Sequence, residues 1–160
     1  MKEVQLTQGY TAIVDDEDYE RVSKYNWCPT EHHNGVVYVR HVERKDGRNK
    51  ILYLHRFILN AESGQICDHI DHDGLNNQKS NLRFATNQQN IMNRVKNKTS
   101  NNKPNSSKYK GAVRHNGRWM CLMNGYVGMF DSEEECARAY DVKAKELFGE
   151  FACLNFPESK

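Results

Sequence analysis

From Gly74 through Phe130 the chain has no Asp or Glu, a gap of fifty-seven residues in a sequence that carries 21 acids elsewhere. Ten positive side chains stand inside that gap: Lys79, Arg83, Arg94, Lys96, Lys98, Lys103, Lys108, Lys110, Arg114 and Arg118. Residues 1–60, by contrast, hold nine charges of each sign, so the net charge of +2 conceals a strongly polarised chain. A long stretch of one sign suits the neutralisation of phosphates, which points to a nucleic-acid partner, expected here to be double-stranded DNA. The acids of residues 131–160 are expected to face away from it.

Other absences narrow the class. No apolar run approaches the roughly 18 residues of a membrane span, and no signal-peptide pattern follows Met1, so neither membrane insertion nor export is expected. The five cysteines (Cys28, Cys67, Cys121, Cys136, Cys153) are odd in number and never closer than fifteen residues, which excludes a CxxC zinc knuckle and a readable disulfide framework. They are expected to be buried free thiols. At 160 residues the chain suits small modules joined by a linker, each with a modest core.

What is present reads as α+β. Short β-like runs at Val4–Leu6 and Thr11–Val14 precede an acidic helix start, Asp15-Asp16-Glu17-Asp18, predicted to run to about Tyr25. Further strands are expected at Val36–His41 and Ile51–Leu54, with a hairpin step at Asp46-Gly47, and Tyr19 and Trp27 are expected in the core. Strands at Gln65–Ile70 and Leu82–Ala85 then lead to a helix over about Asn87–Val95 with Thr86 as its N-cap. Residues 96–107 are polar and free of apolar side chains, so they read as a basic linker. Beyond it lie three strands (Lys110–His115, Arg118–Asn124, Tyr126–Phe130) joined by Asn116-Gly117 and Asn124-Gly125, then a helix opened by the capping box Ser132–Glu135 and stopped by Gly149.

The segment Cys67–Asn93 carries a constellation with chemical content. Hydrolysis of a phosphodiester needs a base for water, a cation for the departing oxygen, and fixed geometry. Asp68 and Asn90 offer hard oxygen ligands suited to Mg²⁺, with Mn²⁺ as a substitute, and His69 titrates near neutrality as a base should. Adjacent strand residues point to opposite faces, so Asp68 can address a metal while His69 addresses water. Asp71-His72-Asp73-Gly74 does not fit a calcium loop, because the glycine is misplaced and no bidentate Glu follows, and it is expected to be a turn with His72 as a reserve base. His55 is expected to back this site, to contact DNA, or to be a packed, hydrogen-bonded histidine.

Asp68-His69, the Asn-rich loop ending in Ser80-Asn81-Leu82-Arg83, and Asn90 together resemble the ββα-metal active site of HNH endonucleases of the phage and intron-encoded homing type. The similarity extends upstream through Leu54-His55-Arg56 and covers about residues 50–95. It implies Asp68 and Asn90 as metal ligands, His69 as the general base, and Asn81 as the brace of the loop that positions the histidine. Tyr109-Lys110-Gly111, Gly128-Met129-Phe130-Asp131, Ala137–Asp141 and the closing Phe148–Pro157 resemble an AP2 domain over about residues 108–157, a family whose three-stranded sheet binds DNA in the major groove. Strand alternation directs Trp119, Cys121 and Met123 toward the helix and leaves Arg118, Leu122 and Asn124 on the other face. Arg94, Lys96, Lys98, Lys110, Arg114, His115, Arg118, Asn124 and Tyr126 are therefore the expected DNA contacts, the basic ones mostly on phosphates.

The expected organisation is an N-terminal α+β module with its HNH core (1–95), a linker (96–107), and an AP2-like domain (108–157). The expected activity is metal-dependent DNA cleavage, by a monomer that nicks one strand, in the cytoplasm of a prokaryotic or phage-infected cell. The competing readings are a noncatalytic DNA-binding or regulatory protein with a relic HNH fold, and a nuclease acting on RNA or junctions.

Overall fold

The computed structural model describes residues 1–32, 35–45, 47–96, 99–100 and 103–157. The chain folds as two compact units, Met1–Asn87 and Gln88–Lys160. Both combine helices with antiparallel sheets, as the α+β reading expects. Among the described residues no helix is long and apolar enough to cross a membrane.

In the first unit, β1 (Lys2–Gln5) pairs antiparallel with β2 (Thr11–Val14), and α1 (Asp16–Val22) follows at once. The acidic first turn of α1 faces the positive end of its own dipole, as the sequence predicts, but the helix stops at Val22 rather than Tyr25. Arg21 pairs with Asp18 of its own helix (2.8 Å) and also donates to the carbonyls of Phe57 (3.2 Å) and Ile58 (2.7 Å), satisfying the open end of α2 (Leu54–Ile58). Between these helices lies a three-stranded sheet of β3 (Cys28–Glu31), β4 (Val37–Lys45) and β5 (Arg48–Tyr53). The sequence pattern misses β3, because Pro29 interrupts it; the strand is tolerated because it occupies an edge. The β4–β5 hairpin closes at the pair Lys45↔Arg48 with Gly47 at φ 73°, while Asp46 lies outside the described residues.

β6 (Ile66–His69) and β7 (Leu82–Ala85) form a two-stranded ladder in which Asp68 faces Arg83 and His69 faces Leu82. The core beneath is built from Val14, Val22, Trp27, Val39, Leu54, Ile58 and Leu82 with their neighbours. Trp27 is buried as expected, and its indole Nε1 donates to the Val22 carbonyl at 2.8 Å, so the buried polar atom is satisfied. Tyr19 packs against the same cluster, half-buried.

The unit boundary falls within α3 (Asn87–Met92), which ends three residues before the predicted Val95. Within 96–107 the structure gives a short ladder of β8 (Thr99–Ser100) and β9 (Lys103–Pro104). The second unit is dominated by the antiparallel sheet β10 (Ala112–His115), β11 (Arg118–Leu122) and β12 (Tyr126–Phe130), with α4 (Glu133–Phe148) packed across it. Asn116 and Gly117 both take positive φ (47° and 82°), the geometry a two-residue hairpin turn needs, and Ser132 and Glu135 form the predicted capping box. Ala112, Cys121, Cys136, Tyr140 and Ala144 make the core. Gly111 sits directly under the Tyr140 ring, where an added Cβ would come within 1.9 Å of Cδ2, so only glycine fits.

All five cysteines are free, but only Cys121 and Cys136 are buried; Cys28, Cys67 and Cys153 are half-buried, which corrects the expectation of five buried thiols. Burial depends on which face of each element meets the core, which the chain alone does not display.

Candidate active site

β6 brings Asp68 and His69 to the surface of the first-unit core on opposite sides of one strand, with only 8% and 5% of their surfaces exposed. Pairing with β7 places Arg83 across from Asp68, and its Nη2 and Nε both reach Oδ2, at 3.0 and 3.1 Å. Such a charge-assisted fork orients the carboxylate and compensates much of its burial.

His69 lies in a different environment. Its Nε2 is 3.4 Å from Oδ1 of Asn77, and its ring meets that of His55 edge-on at 5.0 Å and that of Tyr38 at 5.7 Å. Burial pushes the His69 pKa below its ordinary 6.5, opposed by the Asn77 contact and by the charges of Asp71, Asp68 and Asp73. A neutral imidazole at pH 7 is the state a base requires. His55 is pushed down further, to about 3, by burial first and then by the neighbouring His69 and Arg56. Its Nδ1 is buried with no hydrogen-bond partner among the described residues. His55 thus packs behind His69.

The loop between β6 and β7 is held by its own polar side chains. Asn81 Nδ2 donates to Asp71 Oδ1 and to the Asn76 carbonyl, both at 2.8 Å, while its Oδ1 accepts from the Asp71 amide at 3.1 Å. Asp71 also accepts from Asn76 Nδ2 (2.7 Å) and from the Asp73 amide (2.8 Å), which makes residues 71–74 the predicted turn, with His72 at φ 67°. Gly74 passes so close to β4 that a Cβ there would stand 2.3 Å from the Val37 carbonyl oxygen. Asp15, just before α1, accepts from the Lys79 amide at 2.7 Å and from Gln78 Nε2 at 3.2 Å, tying the far side of the loop to the N-terminal module.

The structure therefore brings together Asp68, His69 and Asn81 within the first unit. Asn90 stands half-buried on α3, in the second unit. Sequence reasoning missed Asn77, which is fully buried; its only trace in the sequence is the doublet Asn76-Asn77 inside the Asn-rich loop. Among the described residues no three His, Cys, Asp or Glu side chains cluster as a metal cage. The buried Asp68 carboxylate is a hard oxygen donor, which fits a hard cation that takes few protein ligands and retains its waters.

The expected DNA contacts separate into two groups. Lys96 donates to the Tyr109 carbonyl at 2.6 Å, and Lys110 donates to the carbonyls of Met92 and Arg94 at 2.9 and 2.7 Å. Burial lowers the pKa of both, so these two lysines act as internal ties rather than as open cations. Arg94, Arg114, His115, Arg118, Asn124 and Tyr126 are exposed, while Lys98 lies outside the described residues. Strand register sets His115 and Arg118 opposite one another, on the face away from Trp119, and Arg118 pairs with Asp131 at 2.8 Å. Arg114 is instead opposite Trp119 and lies over its ring at 5.1 Å, so it shares the helix-side row of the sheet at its exposed rim. Asn124 occupies the turn, at φ 49°, rather than the strand.

No family model matches the chain. An uncharacterized HNH endonuclease of Acanthamoeba polyphaga mimivirus is 36% identical over 156 residues, which span 92% of this chain and 76% of that protein. A dehydration-responsive element-binding protein of Oryza sativa subsp. indica is 42% identical over 59 residues, 32% of this chain and 26% of its own length. An AP2/ERF and B3 domain-containing protein of Oryza sativa subsp. japonica is 45% identical over 58 residues, covering 32% of this chain and 16% of itself. The chain thus spans about three quarters of the viral relative and only a small part of the plant ones.

Proposed function

Because this chain belongs to the HNH endonuclease family, we propose that it is a metal-dependent DNA endonuclease of the homing type, with residues 108–157 holding the duplex while the segment 50–95 hydrolyses one strand. The observation that carries this reading is the adjacent, buried pair Asp68 and His69 on β6, one fixed by Arg83 and the other held neutral by burial.

In this mechanism His69 takes the proton from the water that attacks phosphorus. Asn81 keeps the 71–81 loop closed under the histidine through its three hydrogen bonds, so that little reorganisation is needed when substrate arrives. Asp68 would hold Mg²⁺ or Mn²⁺; the second ligand is assigned to Asn90 on the family resemblance alone. When bound, the cation supplies charge stabilisation for the departing oxygen. Arg83 holds the Asp68 carboxylate in place through its Nε and Nη2, and the exposed Arg94, Arg114 and Arg118 neutralise phosphates along the duplex. One base and one metal site per chain make the product a nick, formed by a monomer.

Supercoiled plasmid incubated with Mg²⁺ or Mn²⁺ tests this: the wild-type chain converts it to the open circle, and His69→Ala does not. Absence of nicking with both metals across varied DNA, including genomic DNA of the source, would overturn the catalytic reading.

A further inference from the structure

We propose that Asn77 is the positioning residue of the base: it accepts a hydrogen bond from Nε2 of His69, fixing the neutral imidazole as the Nε2–H tautomer with its lone pair on Nδ1. The proposal rests on His69 being the base, and it goes further by naming which ring nitrogen receives the proton and what fixes that choice.

The argument starts from the amide. Asn77 Nδ2 donates to the Gly74 carbonyl at 3.1 Å, and a carbonyl can only accept. That contact settles which end of the side chain is nitrogen, so the atom 3.4 Å from His69 Nε2 is the amide oxygen. An amide oxygen cannot donate, hence Nε2 carries the hydrogen, and in a neutral imidazole the lone pair then belongs to Nδ1.

Asn77 is well built for this task. It is fully buried, so water does not compete for either end of its amide. Its backbone N–H donates to the Ile13 carbonyl at 2.8 Å, which anchors it to β2 in the rigid part of the unit rather than to the loop alone. Gly74, the partner of its Nδ2, is itself pressed against β4. The His69 ring has aromatic neighbours in His55 and Tyr38, which restrict its rotation about χ2. The adjacent Asn76 has a separate assignment, the Asp71 carboxylate, so the two members of the doublet divide loop closure and base orientation between them.

A two-bond ¹H–¹⁵N spectrum of the full chain labelled at histidine, with His69 assigned by His69→Gln, reads the tautomer without any need for cleavage. The wild-type protein at neutral pH is expected to show Nε2 protonated and Nδ1 bare. Asn77→Ala should move both signals toward an averaged mixture. A wild-type spectrum with Nδ1 protonated overturns the proposal, as do signals unmoved by Asn77→Ala; because the first outcome needs no variant, a substitution that fails to fold leaves the test intact. In nicking assays Asn77→Ala should lower kcat by roughly ten- to hundred-fold with KM for DNA unchanged. Full kcat in Asn77→Ala alongside a dead His69→Ala would remove Asn77 from the mechanism and keep the base. Equal cleavage by His69→Ala would remove the base itself, whatever the tautomer.

Discussion

The β6–β7 loop of the first unit and the open face of the β10–β12 sheet use polar side chains in opposite ways. Around His69, Asp71, Asn76, Asn77 and Asn81 bond to one another and to backbone, and the side chains that would do chemistry are buried. On the sheet, His115, Arg118 and Tyr126 stand in solvent, and the ion pair of Arg118 with Asp131 is exposed on both sides and contributes little to stability. Catalytic groups need a geometry settled in advance, which requires burial and satisfied partners. Groups that meet phosphates can remain solvated until the polyanion arrives and releases its counterions. Lys96 and Lys110 show that charge alone does not assign a residue to the second class, since both are positive and both are committed to backbone carbonyls.

The sharpest way to break this contrast is to separate cleavage from binding. His69→Ala should reduce nicking by about 10²- to 10⁴-fold in a plasmid assay while DNA affinity by filter binding stays unchanged; a parallel loss of affinity would mean that the first unit also grips the duplex. Next in size, Asn81→Ala removes three hydrogen bonds and leaves the Asp71 amide and carboxylate short of a partner, so urea unfolding should show a loss of about 2–4 kcal/mol. A loss below about 0.5 kcal/mol would show that the loop closes without it.

Acid should then distinguish the buried site from the exposed face. His55 has a pKa of about 3 in the folded chain against an ordinary 6.5, so between these values the unfolded chain holds the extra proton and stability falls as pH falls. The slope from His55 is about 1.4 kcal/mol per pH unit, His69 adds in the same direction, and His55→Gln should flatten the profile. Urea midpoints at pH 7 and pH 5 that coincide would contradict the burial argument. The smallest effect concerns the cations of the second unit. Arg118→Ala should reduce the slope of log affinity against log salt by about one, whereas Lys110→Met should leave that slope alone and lower the melting temperature instead. Equal salt slopes for all three proteins would erase the division between open and committed charges.

What the chain settles by itself is local. The Asn116-Gly117 turn, the capping box at Ser132, the helix start at Asp15 and the β6–β7 pair each depend on a few neighbouring residues whose backbone preferences agree, and each stands close to where the pattern predicts it. The pairing of Asp68 with His69 is equally local, because alternation along one strand sends them to opposite sides. The rest depended on partners far away in sequence: Arg21 with the end of α2, Asp15 with Lys79, Gly74 against Val37, Lys110 with Met92. Such pairings decide that Pro29 belongs to an edge strand, that Arg114 lies over Trp119, and that Asn77, among the asparagines of its loop, meets the His69 ring. Composition marked the loop as rich in hydrogen-bonding groups, but only tertiary packing, by burying some of them and setting which partners lie within reach, decided which group does what.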